Sequence, residues 1–466
     1  MKTYIDRFLW AEKAIYPLAT FRVVFGLLMA VSTARFMYLG WIDLHFVATK
    51  FQFKYFGFEW VKLLPPFWMH FLHWVLLVSA ILVALGLFYR VAIVILFFVF
   101  TYLELIDSTY YLNHYYFMSL VAGLMMFIPA NRWFSLDVLQ GLKVKSQTTK
   151  VWHINILKFQ ILILYCYAGL AKISEPWLLE ALPLKIWLPA SDKIPLLGSF
   201  FAHHIAPYVF SWAGMLYDTF IVFFLMYRPT RLVAYFAVIV FHSVVGILFQ
   251  IGVFPVVMMG ITLIFFSDSW HLRWQNLVRS FGSSQVQIED KWSSKENFSK
   301  EHFHPPSSIS PLSRKLATGL LLFYISFQLL FPWRYLLYPG SLFWREEGYR
   351  FSWRVMLMEK AGTAIFFVKD GKTGREGVVD NREFLNPHQE KQMAFQPDMI
   401  LQYAHFLGNY YRKKGVENPE VRVEAYVTVN AKPSQLLVDP EVDLMKIKDG
   451  WARKDWLLSL TKEFPD

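Results

Sequence analysis

Lys172 is the first candidate for chemistry, because it ends an almost entirely apolar run that is long enough to cross a bilayer. Tyr165, Ala168, Gly169 and Lys172 are spaced i, i+3, i+4 and i+7, so they would share one face of a helix. The small residues Ala168 and Gly169 would let either a ligand or another helix approach closely. The alternative is a lysine that snorkels to the outer surface.

Asn113 and His114 form a second candidate pair, in a short polar segment between two apolar runs. The segment is too short to be flexible, so we expect both side chains to point at neighbouring helices. An ordinary polar loop is the alternative. Asp218 and His242 lie inside two later apolar runs, where they could pair to satisfy each other's polar groups.

A dense set of aromatic and charged residues follows the last apolar run, at Glu346–Arg354. We call this segment the collar. It is either a charged juxtamembrane segment or a packed lid over the outer ends of the helices.

The motifs of soluble enzymes are missing from the sequence. It contains no P-loop, no GxGxxG after a strand, no HExxH and no CxxC, and His203-His204 lacks partner ligands at helical spacing. The single cysteine, Cys166, excludes an intrachain disulfide. The net charge of +11 does not require nucleic acid, because cations gather in the cytoplasmic loops of membrane proteins.

The elements that must position these residues are membrane helices. The chain is 56% hydrophobic and only 17% charged, and its apolar residues collect in blocks before residue 335. We predict an α-helical polytopic membrane protein of about nine spans. The spans are expected near 18–38, 67–88, 91–107, 115–129, 152–172, 210–227, 231–250, 252–267 and 315–333.

The predicted organisation is a membrane domain at 1–334 and a small α/β domain outside the membrane at 335–466. A polar cytoplasmic linker at 268–314 interrupts the first. In the second, the turn-forming GKTG at 371–374 predicts a hairpin, 397–414 reads as an amphipathic helix and 421–430 alternates as a strand.

Taken together, the motifs resemble those of the vitamin K-dependent γ-carboxylases. YAGLAKISEPW at 167–177 resembles the family's lysine motif, and YLNHYYFMSLVAGLMMFIPANRWFSLD at 111–137 its Asn-His segment. YDTF at 217–220, the run at 235–254, EEGYRFSWRVML at 346–357, DGKTGREG at 370–377 and LVDPEVDLM at 437–445 follow in the family's order. The chain is therefore identified as similar to bacterial members, whose membrane region is the horizontally transferred transmembrane domain.

The resemblance implies site residues. The family's active-site lysine falls on Lys172, its Asn-His pair on Asn113 and His114, and a later histidine on His242. Tyr165, Gly169 and His242 are expected to help bind the cofactor. The sequence departs from the animal enzymes in having Ala171 where they have a second lysine, in lacking their disulfide, and in lacking their long C-terminal extension. These departures bear on a propeptide-guided substrate more than on the quinol chemistry.

The resemblance also implies a reaction. The family uses reduced vitamin K (the hydroquinone), O2 and CO2 to carboxylate a peptide glutamate, with formation of the quinone epoxide and no expected metal. A milder base must first deprotonate the hydroquinone. A buried lysine suits this task because burial disfavours its charged form, and Asn113 and His114 could hold the quinol oxygen.

Two alternatives stay open. One is a quinol epoxidase that does not carboxylate glutamate. The other is a non-catalytic transporter or scaffold, which would more often place charges near the midplane of several spans. The expected partners are the lipid bilayer, a quinol and a glutamate-containing protein or peptide.

The loop charges predict the orientation of the chain. With the N-terminus inside, the inner segments carry 17 Lys and Arg and the outer loops five. The protein is then expected in the bacterial inner membrane with its C-terminal domain outside, which means in the periplasm if the cell is Gram-negative. An alkaline phosphatase fused after Asp466 should be active, and a fluorescent protein that folds only in the cytoplasm should stay dark. The reverse pattern would contradict this topology.

Overall fold

A computed structural model describes residues 9–191, 198–249, 251–282 and 311–461 of the chain. Parts of the predictions above lie outside these ranges. They are the linker residues 283–310, Gln250 of the span at 231–250, residues 462–466 of the C-terminal domain, and six of the cations counted for the orientation: Lys2, Arg7, Lys193, Lys291, Lys295 and Lys300.

Helices dominate the described residues, and each predicted span coincides with helical structure. The longer helices are α1 (Tyr16–Tyr38), α2 (Pro66–Leu85), α3 (Tyr89–Leu105), α4 (Asn113–Phe127), α5 (Val151–Leu170), α6 (Ala206–Met226), α7 (Arg231–Leu248), α8 (Phe254–Ile261), α9 (Asp268–Gly282), α10 (Pro311–Leu330), α11 (Pro387–Met393) and α12 (Pro397–Lys413). Shorter helical turns lie at Asp43–Val47, Ser108–Tyr110, Leu136–Leu139, Glu175–Leu178, Leu184–Trp187, Pro189–Ser191, Gly198–Phe201, Thr262–Phe265, Phe331–Leu337, Leu342–Arg345, Asn381–Glu383 and Leu444–Lys446.

Six stretches of the described chain are long and apolar enough to cross a membrane: α1, α2, α5, α6, α7 and Leu312–Leu337. A seventh is possible, because Phe254–Phe265 and Asp268–Ser280 form a helix pair bent by 117°. The predicted spans at 91–107 and 115–129 correspond to α3 and α4, which have only 17 and 15 residues. A helix normally needs about 20 residues to cross the hydrocarbon core. The chain is therefore a helical membrane protein with six or seven candidate spans.

The membrane helices pack around one apolar core, and close backbone contact joins α1 to α2. A Cβ added to Gly26 of α1 would lie 2.4 Å from Ala84 N and 2.8 Å from Ala80 O of α2. Only glycine allows this approach, as is common where membrane helices associate. Gly86 ends α2 in the left-handed conformation, at φ +65°, and the Arg22 side chain fills the space a Cβ would need.

Strands are short in the membrane half and longer near the C-terminus. β1 (Glu12–Ala14) pairs antiparallel with β2 (Thr148–Lys150). The second sheet contains β3 (Lys360–Lys369), β4 (Glu376–Val378), β5 (Glu420–Val429) and β6 (Gln435–Leu436) in the antiparallel order β4-β3-β5-β6. The hairpin, the amphipathic helix and the strand predicted for this region are confirmed as β3–β4, α12 and β5.

A second apolar core lies between the four-stranded sheet and α12. Side chains from β3, β5 and α12 form most of it, including Phe366, Val423 and Tyr403. Phe53 also belongs to this core and is fully buried, although it comes from the loop between α1 and α2. The backbone of the neighbouring Lys54 exchanges two hydrogen bonds with the Gln402 side chain of α12. The four-stranded sheet is therefore held to the membrane helices by a loop from the first half of the chain.

The contact between α1 and α2 can be tested at Gly26. Because the added methyl group would meet backbone atoms, Gly26→Ala should destabilise the protein by about 1–3 kcal/mol. Gly319→Ala is the matched control, since a Cβ on Gly319 of α10 would meet no atom within 4 Å. In thermal unfolding in detergent, only Gly26→Ala should lower the melting temperature. Equal effects of both changes would contradict the packing argument.

Candidate active site

The candidate site begins where α5 and α6 cross at close range. A Cβ on Gly169 of α5 would lie 2.3 Å from the Thr219 hydroxyl and 2.5 Å from Thr219 N of α6. The small residues were expected to admit either a ligand or another helix, and at Gly169 the structure shows a helix. Gly169 lines neither of the two cavities described below, and its contact with a cofactor stays a prediction.

Lys172 folds back from the end of α5 into the protein and does not reach the outer surface. Its Nζ donates to the Asp218 carboxylate of α6 at 2.7 Å and to Ala168 O at 3.1 Å. Nζ also lies 5.3 Å from the centre of the Trp177 ring. Lys172 and Asp218 are only 6% and 7% exposed, so the snorkelling alternative is wrong.

Tyr165 and His242 form a second buried contact beside this ion pair. The Tyr165 hydroxyl lies 2.8 Å from His242 Nε2, and the histidine tautomer decides which group donates. The expected pairing of Asp218 with His242 is therefore wrong, since Asp218 pairs with Lys172 and His242 pairs with Tyr165. His242 Nδ1 is buried and has no hydrogen-bond partner among the described residues.

A small cavity of about 100 Å³ joins these four side chains. Lys172, Asp218, Tyr165 and His242 all line it, and the rest of its wall is apolar or aromatic. A small uncharged group could enter here and meet an amine, a carboxylate and an imidazole in a region with little competing water.

Asn113 and His114 line a second, larger cavity of about 890 Å³. The two cavities share part of their walls: Ile251, Phe254, Val355 and Met356. The Phe254 ring lies 5.2 Å from the His114 ring and 6.0 Å from the His242 ring. The structure thus brings the two predicted groups of site residues to opposite sides of one thin partition.

The Asn113 side chain is hydrogen-bonded to the collar. Its Nδ2 donates to Arg354 O at 2.7 Å, and its Oδ1 accepts from the Tyr111 hydroxyl at 3.0 Å. The same hydroxyl accepts from Phe351 N at 2.8 Å. One amide hydrogen of Asn113 remains for a ligand, but much of its bonding capacity belongs to the collar.

The collar is a packed lid, as one of the two alternatives had it. Trp353 is fully buried and stacks on Tyr116 of α4, with ring centres 4.9 Å apart. The residues that follow the collar, Val355 and Met356, close both cavities. The collar therefore sets the outer wall of the candidate site.

Ion pairs join the collar to the C-terminal α/β domain. Arg350 pairs with Asp398 at the start of α12, and Glu346 accepts from Lys360 Nζ at 2.7 Å. Burial acts to lower the pKa of Arg350, but the Asp398 carboxylate more than offsets it, so the pKa is raised. Burial would raise the pKa of Asp398, and Arg350 reverses this shift. Both groups therefore stay charged at any physiological pH.

Sequence reasoning missed several residues of the larger cavity. His45, Tyr110 and His388 form a column there, with ring centres 4.0 Å and 4.6 Å apart. Burial, and then the neighbouring His388, lower the pKa of His45 to about 4. Glu104 also lines this cavity. Only its position in the last turn of an apolar run could have marked Glu104, and no sequence signal links His45 to His388.

The fold and site define a class of protein: a helical membrane bundle and a C-terminal α/β domain, with a buried lysine–aspartate pair in the bundle. The HTTM domain family matches residues 11–270, and the vitamin K-dependent gamma-carboxylase, lumenal domain family matches residues 313–463. The first match covers more than half of the chain, so the chain belongs to the HTTM domain family and is a gamma-carboxylase-like member of it. No solved structure matches the chain.

The buried ion pair should dominate the local stability. Removing one partner leaves an unpaired charge in an apolar site and should cost about 3–5 kcal/mol, whereas replacing both with apolar residues should cost much less. We expect Lys172→Met and Asp218→Leu each to lower the melting temperature more than the double variant does. Additive losses in this double-mutant cycle would contradict the pairing.

Proposed function

We propose that this chain is a vitamin K hydroquinone-dependent γ-glutamyl carboxylase that also forms the quinone epoxide, using O2 and CO2. The observation that carries the proposal is the buried Lys172 in a small cavity that shares a wall with a cavity large enough for a lipid-soluble quinol. The membership in a gamma-carboxylase-like family supports the same reaction class.

The two cavities fit a quinol. The larger one has the size typical of ligand sites and offers mostly apolar walls to a ring and an isoprenoid chain. His114 on one side of the partition, and the free Nδ1 of His242 on the other, are the polar atoms that would orient its hydroxyl groups. When bound, the hydroquinone supplies the strong base after reaction with O2.

The residues of the chain would then have separate tasks. Lys172 would take the hydroxyl proton of the quinol, which His114 would hold in place by a hydrogen bond. Tyr165 would orient His242. Asn113 would act mainly through the collar, with one amide hydrogen turned toward the ligand. The buried walls would exclude water from the reacting groups.

The arrangement in the membrane is part of the proposal. We propose nine spans, with α3 and α4 crossing at reduced length, the N-terminus in the cytoplasm and residues 335–466 in the periplasm of a bacterial inner membrane. Lys172, His114 and the collar then lie toward the outer side. A peptide glutamate would approach from the outer domain, and the quinol from the bilayer.

The decisive experiment combines purified protein, chemically reduced vitamin K, O2 and labelled bicarbonate. Epoxide and label in a glutamyl peptide are measured separately. Both products are expected, and Lys172→Ala should abolish epoxide formation. A small exogenous amine should restore part of it. Unchanged epoxidation in folded Lys172→Ala would refute the role of the lysine, and epoxide without labelled peptide would favour the epoxidase alternative.

His114 provides a test of quinol positioning. Loss of one preorganised hydrogen-bond donor typically slows a reaction about a hundredfold or more, so His114→Ala should slow epoxidation to that extent. His203→Ala is the matched control, because His203 is exposed in the bend that precedes α6 and lines neither cavity. A full-rate His114→Ala enzyme would leave His114 with only a structural role.

The collar provides a test of substrate delivery. Arg350→Ala breaks the link between the collar and α12, so it should reduce carboxylation more than epoxidation. Arg422→Ala is the control, since Arg422 pairs with Glu376 on the surface of the outer sheet. If Arg350→Ala lowered both rates by the same factor, the collar would not separate the two half-reactions.

A further inference from the structure

We propose that Asp218 is the proton partner of Lys172 in quinol deprotonation. At rest the two side chains form an ion pair, in which Lys172 carries the proton that lies between them. When Lys172 takes a proton from the quinol hydroxyl, Asp218 takes the proton that Lys172 already carries. This inference rests on the proposed function and makes Asp218 a positioning residue that acts through Lys172.

The geometry supplies the reason. A lysine that acts as a base needs a free lone pair, but Lys172 Nζ lies 2.7 Å from a carboxylate that stabilises its ammonium form. Both side chains are at least nine-tenths buried, and an isolated charge in such a site is costly. Losing the ammonium proton to solvent would leave the Asp218 carboxylate without a counter-ion. Transfer of that proton to Asp218 Oδ2 avoids this state.

The step balances in protons and charge. The N–H bond of Lys172 that points at Asp218 breaks as an O–H bond forms on the carboxylate. The quinol O–H bond breaks as a new N–H bond forms on Lys172. Before the step the site holds an ammonium, a carboxylate and a neutral quinol. Afterwards it holds an ammonium, a carboxylic acid and a quinol monoanion. The net charge is zero in both states, and no oxidant or reductant is needed.

Among the described residues that line the small cavity, Lys172 and Asp218 are the only Lys, Arg, Asp or Glu. The titratable neighbours are Tyr165 and Cys166 on α5, Tyr217 on α6 and His242 on α7. The remaining walls, which include Trp177, Phe249, Val355 and Met356, do not titrate.

A first test reads the carboxyl group without turnover. Infrared difference spectra between quinol-free wild type and Asp218→Asn report whether Asp218 is protonated. We expect no protonated-carboxyl band in the wild type at neutral pH, because Lys172 keeps Asp218 ionised. In Lys172→Met the band should appear at neutral pH, since the lone buried carboxyl takes up a proton. A band in the wild type, or none in Lys172→Met, would overturn the proposal.

A second test is the pH dependence of epoxidation in Asp218→Asn. If the ion pair is the active form, the wild type loses activity only at the acidic pH where Asp218 protonates. In Asp218→Asn, epoxidation would instead require a neutral Lys172. The acidic limb of its pH–rate profile, where activity is lost as the pH falls, should therefore move to higher pH. If instead Lys172 must be neutral beside a permanently ionised Asp218, removal of the negative charge moves the limb to lower pH. The sign of the shift decides between the two.

Two controls keep the outcomes distinct. Asp137→Asn removes another buried carboxylate, which accepts from Phe88 N and Asn131, and its acidic limb should match that of the wild type. If Asp218→Asn does not fold, amine rescue of Lys172→Ala replaces it: rescue should persist below the pKa of the added amine. Rescue that tracks only the free-base amine would overturn the proposal. A wild type that forms no epoxide would overturn the proposed function itself, whereas the infrared result concerns the pair alone.

Discussion

The ion pair between Lys172 and Asp218 constrains much of the membrane domain, because two opposite charges can be buried only if helices hold them at hydrogen-bond distance. Their 2.7 Å contact requires α5 and α6 to approach closely. Gly169 makes this possible, since any larger residue would meet the backbone of Thr219. The close contact of α5 with α6 therefore positions the Lys172 amine, and the ion pair in turn depends on this contact. The cost of unpaired charge in an apolar interior makes the arrangement specific.

The collar extends this constraint outward. Val355 and Met356 close both cavities, and their backbone follows directly from a segment tied to α4 by Asn113 and Tyr111 and to α12 by Arg350. A movement of the outer domain would thus be transmitted to the wall of the site through few intermediate groups. The loop between α1 and α2, which places Phe53 in the outer core, is a second connection. The C-terminal domain and the membrane helices consequently both contribute residues to the cavity walls.

Local patterns in the sequence predicted the elements well and the contacts less well. Each predicted span falls on helical structure, and the hairpin, amphipathic helix and strand near the C-terminus are found, because hydrophobic periodicity and turn residues act over short distances. Lys172, His114, Asn113, Tyr165 and His242 all lie at the two cavities. Which polar group pairs with which was not predictable in the same way. Asp218 could face His242 or Lys172 equally well by helical spacing, and only the rotation of α6 against α5 decides. The column of His45, Tyr110 and His388 includes a residue, His388, that lies more than 270 positions after the other two, so no local pattern could reveal it.

The size difference between the cavities bears on how the proposed chemistry would be divided. A volume of about 100 Å³ around Lys172 is too small for a fused-ring quinol with a tail, whereas about 890 Å³ beside His114 is sufficient. In the proposed reaction the ring would therefore lie mostly in the larger cavity, and only a hydroxyl group would need to cross the partition toward Lys172. That partition is made of Phe254, Ile251 and the two residues after the collar, whose side chains are apolar and able to change rotamer. Since Met356 and Val355 belong to the same backbone that the outer domain holds, a peptide docked there could alter the opening between quinol and lysine. This geometry would let substrate binding outside the membrane influence proton transfer within it, without any direct contact between the peptide and Lys172.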